Sequence, residues 1–243
     1  MSTLVRTEAR LFLREPLAVF WGVAFPVVLL AVIGSLGSSR EPAKEYGGLR
    51  FLDVYVPVLL LFSLGVLALN ALPPVLATYR ERGVLRRLAT TPVGPVRMLA
   101  AQLGLHAVVG VISLVMVMVL ARAAFSVGLP GQPIAFVLTV LLAGASLLAI
   151  GLFLAAVAPT GRTANALGAI TFFPMMFFAG LWLPRASMGD GLRHVSDFTP
   201  LGAAAGAMQA AFEGSWPRAL HFLVLAGWAV IAGGAAIRLF RWQ

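Results

Sequence analysis

The 243-residue chain is 60% hydrophobic and 11% charged, with a mean hydropathy of +0.95. A water-soluble domain carries about a quarter charged residues, so this chain cannot cover its own surface with polar groups and its main solvent is lipid. The net charge of +9, which on a soluble protein would point to nucleic acid, must be read here as membrane topology, and the absence of cysteine excludes disulfides, thiolate metal sites and cysteine catalysis.

Residues 1–16 carry Arg6, Arg10 and Arg14 at helical spacing on one stripe. Leu4, Val5, Leu11, Phe12 and Leu13 occupy the other face, interrupted by Glu8 and Glu15. This predicts an amphipathic interfacial helix, ended by Pro16. The first apolar run, 17–36, matches the length of a transmembrane helix and is too long for a signal-peptide core; Pro26 should kink it. A polar loop with Arg40, Glu41, Lys44 and Glu45 follows. The second span, 51–76, contains Asp53, Pro57, Asn70 and the pair Pro73-Pro74, which should disrupt its helix. Residues 78–98 form the densest charge cluster of the chain. Further spans are expected at 99–121, 134–157, 165–183 and 218–237, with a tight turn at Pro159–Arg162 and a long connection over 184–217.

Six spans put both termini on one side. With that side taken as the cytoplasm, the inner segments hold Arg6, Arg10, Arg14, Arg80, Arg82, Arg86, Arg87, Arg97, Arg162, Arg238 and Arg241; the outer ones hold fewer basic residues and most of the acids. The bias favours cytoplasmic termini. One lysine against many arginines, in a chain rich in Ala, Gly, Val and Leu, matches a GC-rich bacterial genome, hence a bacterial plasma membrane.

On a single helix over Arg80–Ala89, Glu81, Val84, Leu85 and Leu88 share one side, and Arg82, Arg86 and Arg87 spread over the other. Gly83 weakens such a helix by about 1 kcal/mol. Two uses remain open: anchoring to anionic membrane lipids, and docking into a groove of a cytoplasmic protein. Without aromatic interleaving or a matching fold, nucleic acid is not a partner.

Arg80-Glu81-Arg82-Gly83-Val84-Leu85-Arg86-Arg87-Leu88, followed by Thr91-Pro92-Val93, resembles the cytoplasmic loop of the type-2 ABC transporter permeases, the membrane subunits of bacterial exporters of drugs, lipids and polysaccharides. Arg14-Glu15-Pro16 with Pro26, Phe178–Pro184 and Thr199-Pro200 resemble other parts of that family, so the likeness covers nearly the whole chain. Arg86 departs from it, standing where many members have an acid. The resemblance implies an all-α membrane domain of six spans with an interfacial helix, a cytoplasmic coupling helix and short re-entrant external helices. It implies that Arg80 to Leu88, with Pro92, contact a separate ATP-binding cassette subunit carrying ATP and Mg, and that a second permease subunit, identical or different, completes a dimer. Glu81 is the first candidate for the ATPase contact, and Glu81, Val84, Leu85 and Leu88 form the face expected to meet that partner, while the arginines serve topology and the lipid surface. Asn70, Phe172, Phe173, Met175 and Phe177 are candidates for the path of an apolar or amphipathic cargo.

The external connection contains an N-cap followed by proline, Thr199-Pro200, then an Ala-rich stretch to Phe212 and a stop at Gly214. That helix is too short to span; Ser187–Val195 could form another. Gly202 to Gly206 permits close helix approach, within the subunit or across a dimer.

Catalytic signals are missing. A P-loop needs a lysine after its glycines, and Lys44 lies between Ala43 and Glu45. His106, His194 and His221 have no metal-ligand spacing. His106, Asn70 and Asn165 read either as functional polar groups or as helix–helix hydrogen bonds, and Asp190, Asp197 and Glu213 as solvated loop carboxylates. The expectation is a transport subunit with no catalytic, cofactor or metal site. The rivals are an ion-coupled secondary transporter, for which the spans carry too little charge, and a membrane-embedded enzyme.

Overall fold

The computed structural model describes residues 2–46, 48–90 and 94–239, and among them there are helices and turns but no strand. The helices are α1 (Ser2–Leu13), α2 (Pro16–Ser35), α3 (Phe51–Glu81), α4 (Val84–Ala89), α5 (Gly94–Phe125), α6 (Pro133–Val157), α7 (Gly161–Ala179), α8 (Asp190–Phe198), α9 (Pro200–Phe212) and α10 (Ala219–Leu239). Pro92, the rest of the Thr91–Val93 segment and Arg241 lie outside the described residues, as do the side chains of Leu4 and Val5.

Among the described residues, five helices are long and apolar enough to cross a membrane: α2, α3, α5 from Val96, α6 and α10. The stretch expected to form the fifth span, 165–183, overlaps α7, a helix of 19 residues that is not among the five. Its first five residues include Arg162, Thr163 and Asn165, which dilute its apolar run. The class, an all-α integral membrane protein, is plain from these helices.

The core is built around α3, in which every residue from Val54 to Leu69 is buried. Its sequence is apolar all round, as a helix enclosed by others must be. By contrast, α5 exposes Val108, Val111, Ile112, Val115 and Val119, and α10 exposes Leu223, Val230, Ile231 and Ile237, faces suited to lipid.

The proline pair does not break α3, contrary to the expectation. A π turn, Val66–Ala71, precedes it, and Leu72 N–H bonds to Leu67 O, five residues back. Widening the helix in this way lets the chain pass a proline that can neither donate nor clear the carbonyl four residues behind it. The same device recurs in α2, where a π turn at Phe20–Ala24 precedes Pro26. Pro26 leaves Gly22 O without its helical donor, and the Ser113 hydroxyl of α5 supplies one at 3.0 Å. The two π turns meet: a Cβ on Gly22 would stand 2.7 Å from Leu67 Cδ2.

Pro73 likewise frees Leu69 O, which lies against Gly168 of α7, while Ala68 O lies against Gly151 of α6. A Cβ at either glycine would overlap the carbonyl. Glycine there allows helix backbones to touch, as membrane packing favours.

At the end of the bundle away from α1, Arg50 grips Asp53 through two 2.8 Å bonds and donates to Phe125 O and Ser126 O, both at 3.2 Å. The cation thus satisfies carbonyls at the C-terminus of α5. At this same end α9 dips into the bundle. Thr199 Oγ1 caps it by accepting from Gly202 N at 3.1 Å, and Gly214 ends it at a φ of +80°. Leu201 reaches Gly65, fourteen residues or roughly 21 Å into α3. The shorter helix before it runs Asp190–Phe198, not the expected Ser187–Val195.

Candidate functional site

Three groups of side chains mark the end of the bundle where α1 and α4 lie, and the groove that rises from it.

The first is the charged stretch. The single helix expected over Arg80–Ala89 is two pieces. Helix α3 runs to Glu81, and Gly83 ends it at a φ of +68°, a left-handed conformation that glycine adopts without steric cost. The chain then turns into α4. Leu85 has 0% exposure and packs with Leu72, Leu76, Met98, Ala155 and Ala156, with Leu88 against the same cluster. The apolar side expected to face outward is therefore taken up by α3, α5 and α6, and Leu85 is not presented at the surface. The exposed side chains are Glu81, Arg82, Arg86 and Arg87; Gly83 and Val84 are half-buried. Arg80 turns inward. It donates from Nη1 to Ala156 O at 2.9 Å and from Nη2 to Ala158 O, the last carbonyls of α6 and the turn beyond. Glu81 Oε2 accepts from Gly161 N at 3.1 Å, the first amide of α7. Each charge sits on the helix end of opposite sign.

The second is a cavity of about 710 Å³ between α2 and α7, floored by α3. Leu17, Trp21 and Leu29 form one wall, Phe172, Phe173 and Trp182 the other, and Tyr55, Phe62 and Asn70 the floor. Tyr55 and Pro74, both on its lining, are nineteen residues apart, or roughly 28 Å along the helix, close to the hydrocarbon thickness of a bilayer. The lining is apolar and aromatic through its middle. Its carboxyl and amide side chains, Glu15, Asn70 and Asn165, gather towards the α1 end. Of the candidates for a cargo path, Asn70, Phe172 and Phe173 line this cavity. Met175 and Phe177 do not; Met175 packs on the core. Phe172 is buried edge-on against Phe62, whereas Phe173 is 55% exposed.

The third is a polar knot between α1, α3 and α5. Glu8, read from the sequence as an interruption of an apolar face, is only 4% exposed. Its Oε2 accepts from Tyr79 Oη at 2.9 Å and from Gln102 Nε2. Phe12 is buried beside it, edge-on to His106, while Leu11 and Leu13 are exposed. The helix is thus held to the bundle by Glu8 and Phe12, and the leucines expected on that face point away. His106 bonds within its own helix, Nδ1 to Gln102 O at 2.8 Å, rather than across helices, and its buried Nε2 has no partner among the described residues. Burial raises the Glu8 carboxyl above the ordinary carboxylate value, against the lowering effect of the Tyr79 hydrogen bond.

A further cluster at the opposite end escaped the sequence reading. Asp197, expected to be solvated, is buried. It accepts from Arg185 Nη2 at 2.6 Å, with His221 Nε2 at 3.3 Å and Arg218 at 3.8 Å. Arg185 also donates to Gly202 O at 2.9 Å and to Ser196 Oγ. Burial alone would raise Asp197, but the Arg185 hydrogen bond and charge outweigh it and hold the carboxyl below its usual value. Only the fold of the α8–α9 corner brings these residues together, so no local motif could have announced them.

The arrangement sets a short helix with exposed arginines at the end of the bundle from which a membrane-length apolar groove rises. A family model described as "ABC-2 type transporter" matches residues 1–212. No curated protein matches the chain.

Proposed function

The chain belongs to the ABC-2 type transporter family, and on that premise we propose that this permease exports an apolar or amphipathic cargo with ATP hydrolysed on a separate subunit. As a multi-pass membrane component of that family it is the transport part of the machine, and the family works with an ABC ATP-binding partner.

The observation that carries the reading is the position of α4. It is a short helix outside the spans, seated on the core through Leu85, with Arg82, Arg86 and Arg87 turned outward at the end where α3 and α5 emerge. The arginine bias supports a cytoplasmic position for that end. The partner's docking cleft meets Arg82, Arg86, Arg87 and Glu81, with the buried Leu85 holding the helix in place behind them. The groove between α2 and α7, closed by a second permease subunit, forms the path, and its aromatic walls suit a drug, lipid or glycolipid-like cargo. A lipid-headgroup role for the same arginines accompanies docking at the inner surface.

Co-expression with an ATP-binding subunit tests this. The wild-type chain should retain the ATPase through purification and drive ATP-dependent transport in vesicles. Reversing Arg86 and Arg87 to glutamate, or scrambling residues 80–88, should release the ATPase. Transport without ATP would end the proposal.

A further inference from the structure

We infer that Arg80 and Glu81 make the α6–α7 turn part of the docking unit, so that the α7 wall of the groove follows α4 when a partner displaces it. This rests on the reading of α4 as the partner's contact.

The turn has three residues, Ala158 to Thr160, too few to stretch. It is gripped at both ends by neighbouring residues of α3. Arg80 binds the carbonyls of Ala156 and Ala158, and Glu81 binds the amide of Gly161. Between them the backbones touch: a Cβ on Gly161 would overlap Thr78 Oγ1 and stand 3.2 Å from Pro74 O. Beneath them Leu85 of α4 packs on Ala155 and Ala156. Charge-assisted bonds, backbone contact and a shared apolar cluster therefore join α4, the end of α3 and the turn into one body. From that body α7 rises to Asn165, Phe172 and Phe173, one wall of the groove. The other wall, α2, packs instead on α5 and on α3 between Phe51 and Ala71, short of the clasped end. Displacing α4 thus changes the spacing between the walls. Arg80 and Glu81 are positioning residues: neither lines the groove.

The test uses a chain without native cysteine. A Cβ on Gly161 would lie 3.5 Å from Thr78 Cβ, at the short end of the disulfide range of about 3.5–4.5 Å. Thr78→Cys with Gly161→Cys, reconstituted with the ATP-binding subunit, should cross-link on oxidation and still transport, because the joined elements move together. The measured quantity is cargo moved per ATP hydrolysed, since a loss of folded protein lowers both rates and leaves their ratio. Arg80→Gln should lower that ratio about tenfold, the scale of one lost charge-assisted hydrogen bond, and the oxidised cross-link should restore it in the triple variant. Three outcomes overturn the inference: transport lost on oxidation and recovered with reductant, a cysteine pair that does not cross-link, or an Arg80→Gln ratio equal to wild type. A wild-type protein with no ATP-dependent transport overturns this inference together with the functional reading beneath it, whereas a coupled wild type with any of those three results overturns the inference alone.

Discussion

The Glu8 carboxylate and the Tyr79 hydroxyl meet at 2.9 Å across 71 positions of sequence. The bond ties the amphipathic helix α1 to the last turns of α3, one residue before Arg80. A surface helix that a sequence presents as merely lying on the membrane is thereby fastened to the element that leads into α4.

The attachment depends on pH. Burial raises the Glu8 carboxyl in the folded protein, so the folded state holds its proton more tightly than the unfolded one. The stabilisation is complete below the ordinary value of 4.5 and is lost as pH rises through the raised folded value. Glu15 and His106 line the same small cavity. Hydrogen exchange of α1 should quicken as pH rises through that window, and Glu8→Gln should flatten the response while keeping an acceptor for Tyr79. Glu8→Ala, which leaves the Tyr79 and Gln102 donors unmet, should destabilise the attachment by about 1–3 kcal/mol.

Gly151 and Gly168 should not tolerate alanine. The added methyl would press on Ala68 O or Leu69 O, backbone atoms that cannot rotate away. Each substitution should lower stability in detergent by about 1–3 kcal/mol, read as a fall in melting temperature. Gly144→Ala, in the same helix α6 but with open space around its Cα, should be neutral or stabilising, since alanine favours a helix over glycine by about 1 kcal/mol.

Asp197 balances Arg185 in a nearly dry corner, their side chains 8% and 9% exposed. Asp197→Ala strands the guanidinium and should cost about 3–5 kcal/mol, seen as proteolytic opening of the 184–217 connection. The folded carboxyl lies below its usual value, so its contribution is present above the unfolded value of 3.8 and disappears as pH falls through the lower folded one. The corner should therefore open in acid, and Asp197→Asn should remove that pH dependence.

Phe172 and Phe173 are neighbours with different fates. Phe172 fills the space beside Phe62 and Gly65, and Phe172→Ala should cost about 3–5 kcal/mol. Phe173 is largely exposed on the groove. Phe173→Ala should leave the melting temperature within the shift of about 0.5 kcal/mol typical of surface changes, while raising the KM for an apolar cargo in vesicle transport.

Much of this architecture was legible from one dimension. Apolar runs of membrane length locate the helices, because a bilayer demands that every backbone group be paired within its segment. The Thr199-Pro200 start and the Gly214 stop of α9 were readable too, since caps are local chemistry. The charged stretch before the third membrane helix was conspicuous against the oil around it, and its likeness to a permease loop agrees with the family the chain belongs to.

What the residues alone could not reveal is which partner each polar group would find. Glu8 reads as an interruption of an apolar face, Asp197 as a solvated carboxylate and Arg80 as part of a partner contact, because the groups they pair with lie 71, 12 and more than 70 positions away. The proline pair read as a break because the π turn that accommodates it depends on neighbouring helices holding the widened backbone. Leu85 read as a face for a partner because helical periodicity marks an apolar side without saying what covers it. Composition and periodicity thus determined a multi-helix membrane protein and the place of its charged segment, for those follow from the solvent and the local chain. Tertiary packing alone decided that Arg80 and Glu81 clasp the α6–α7 turn, that α4 offers arginines and hides its leucine, and that α2 and α7 stand apart over α3. Long-range pairing carries no signature in the spacing of residues along the chain.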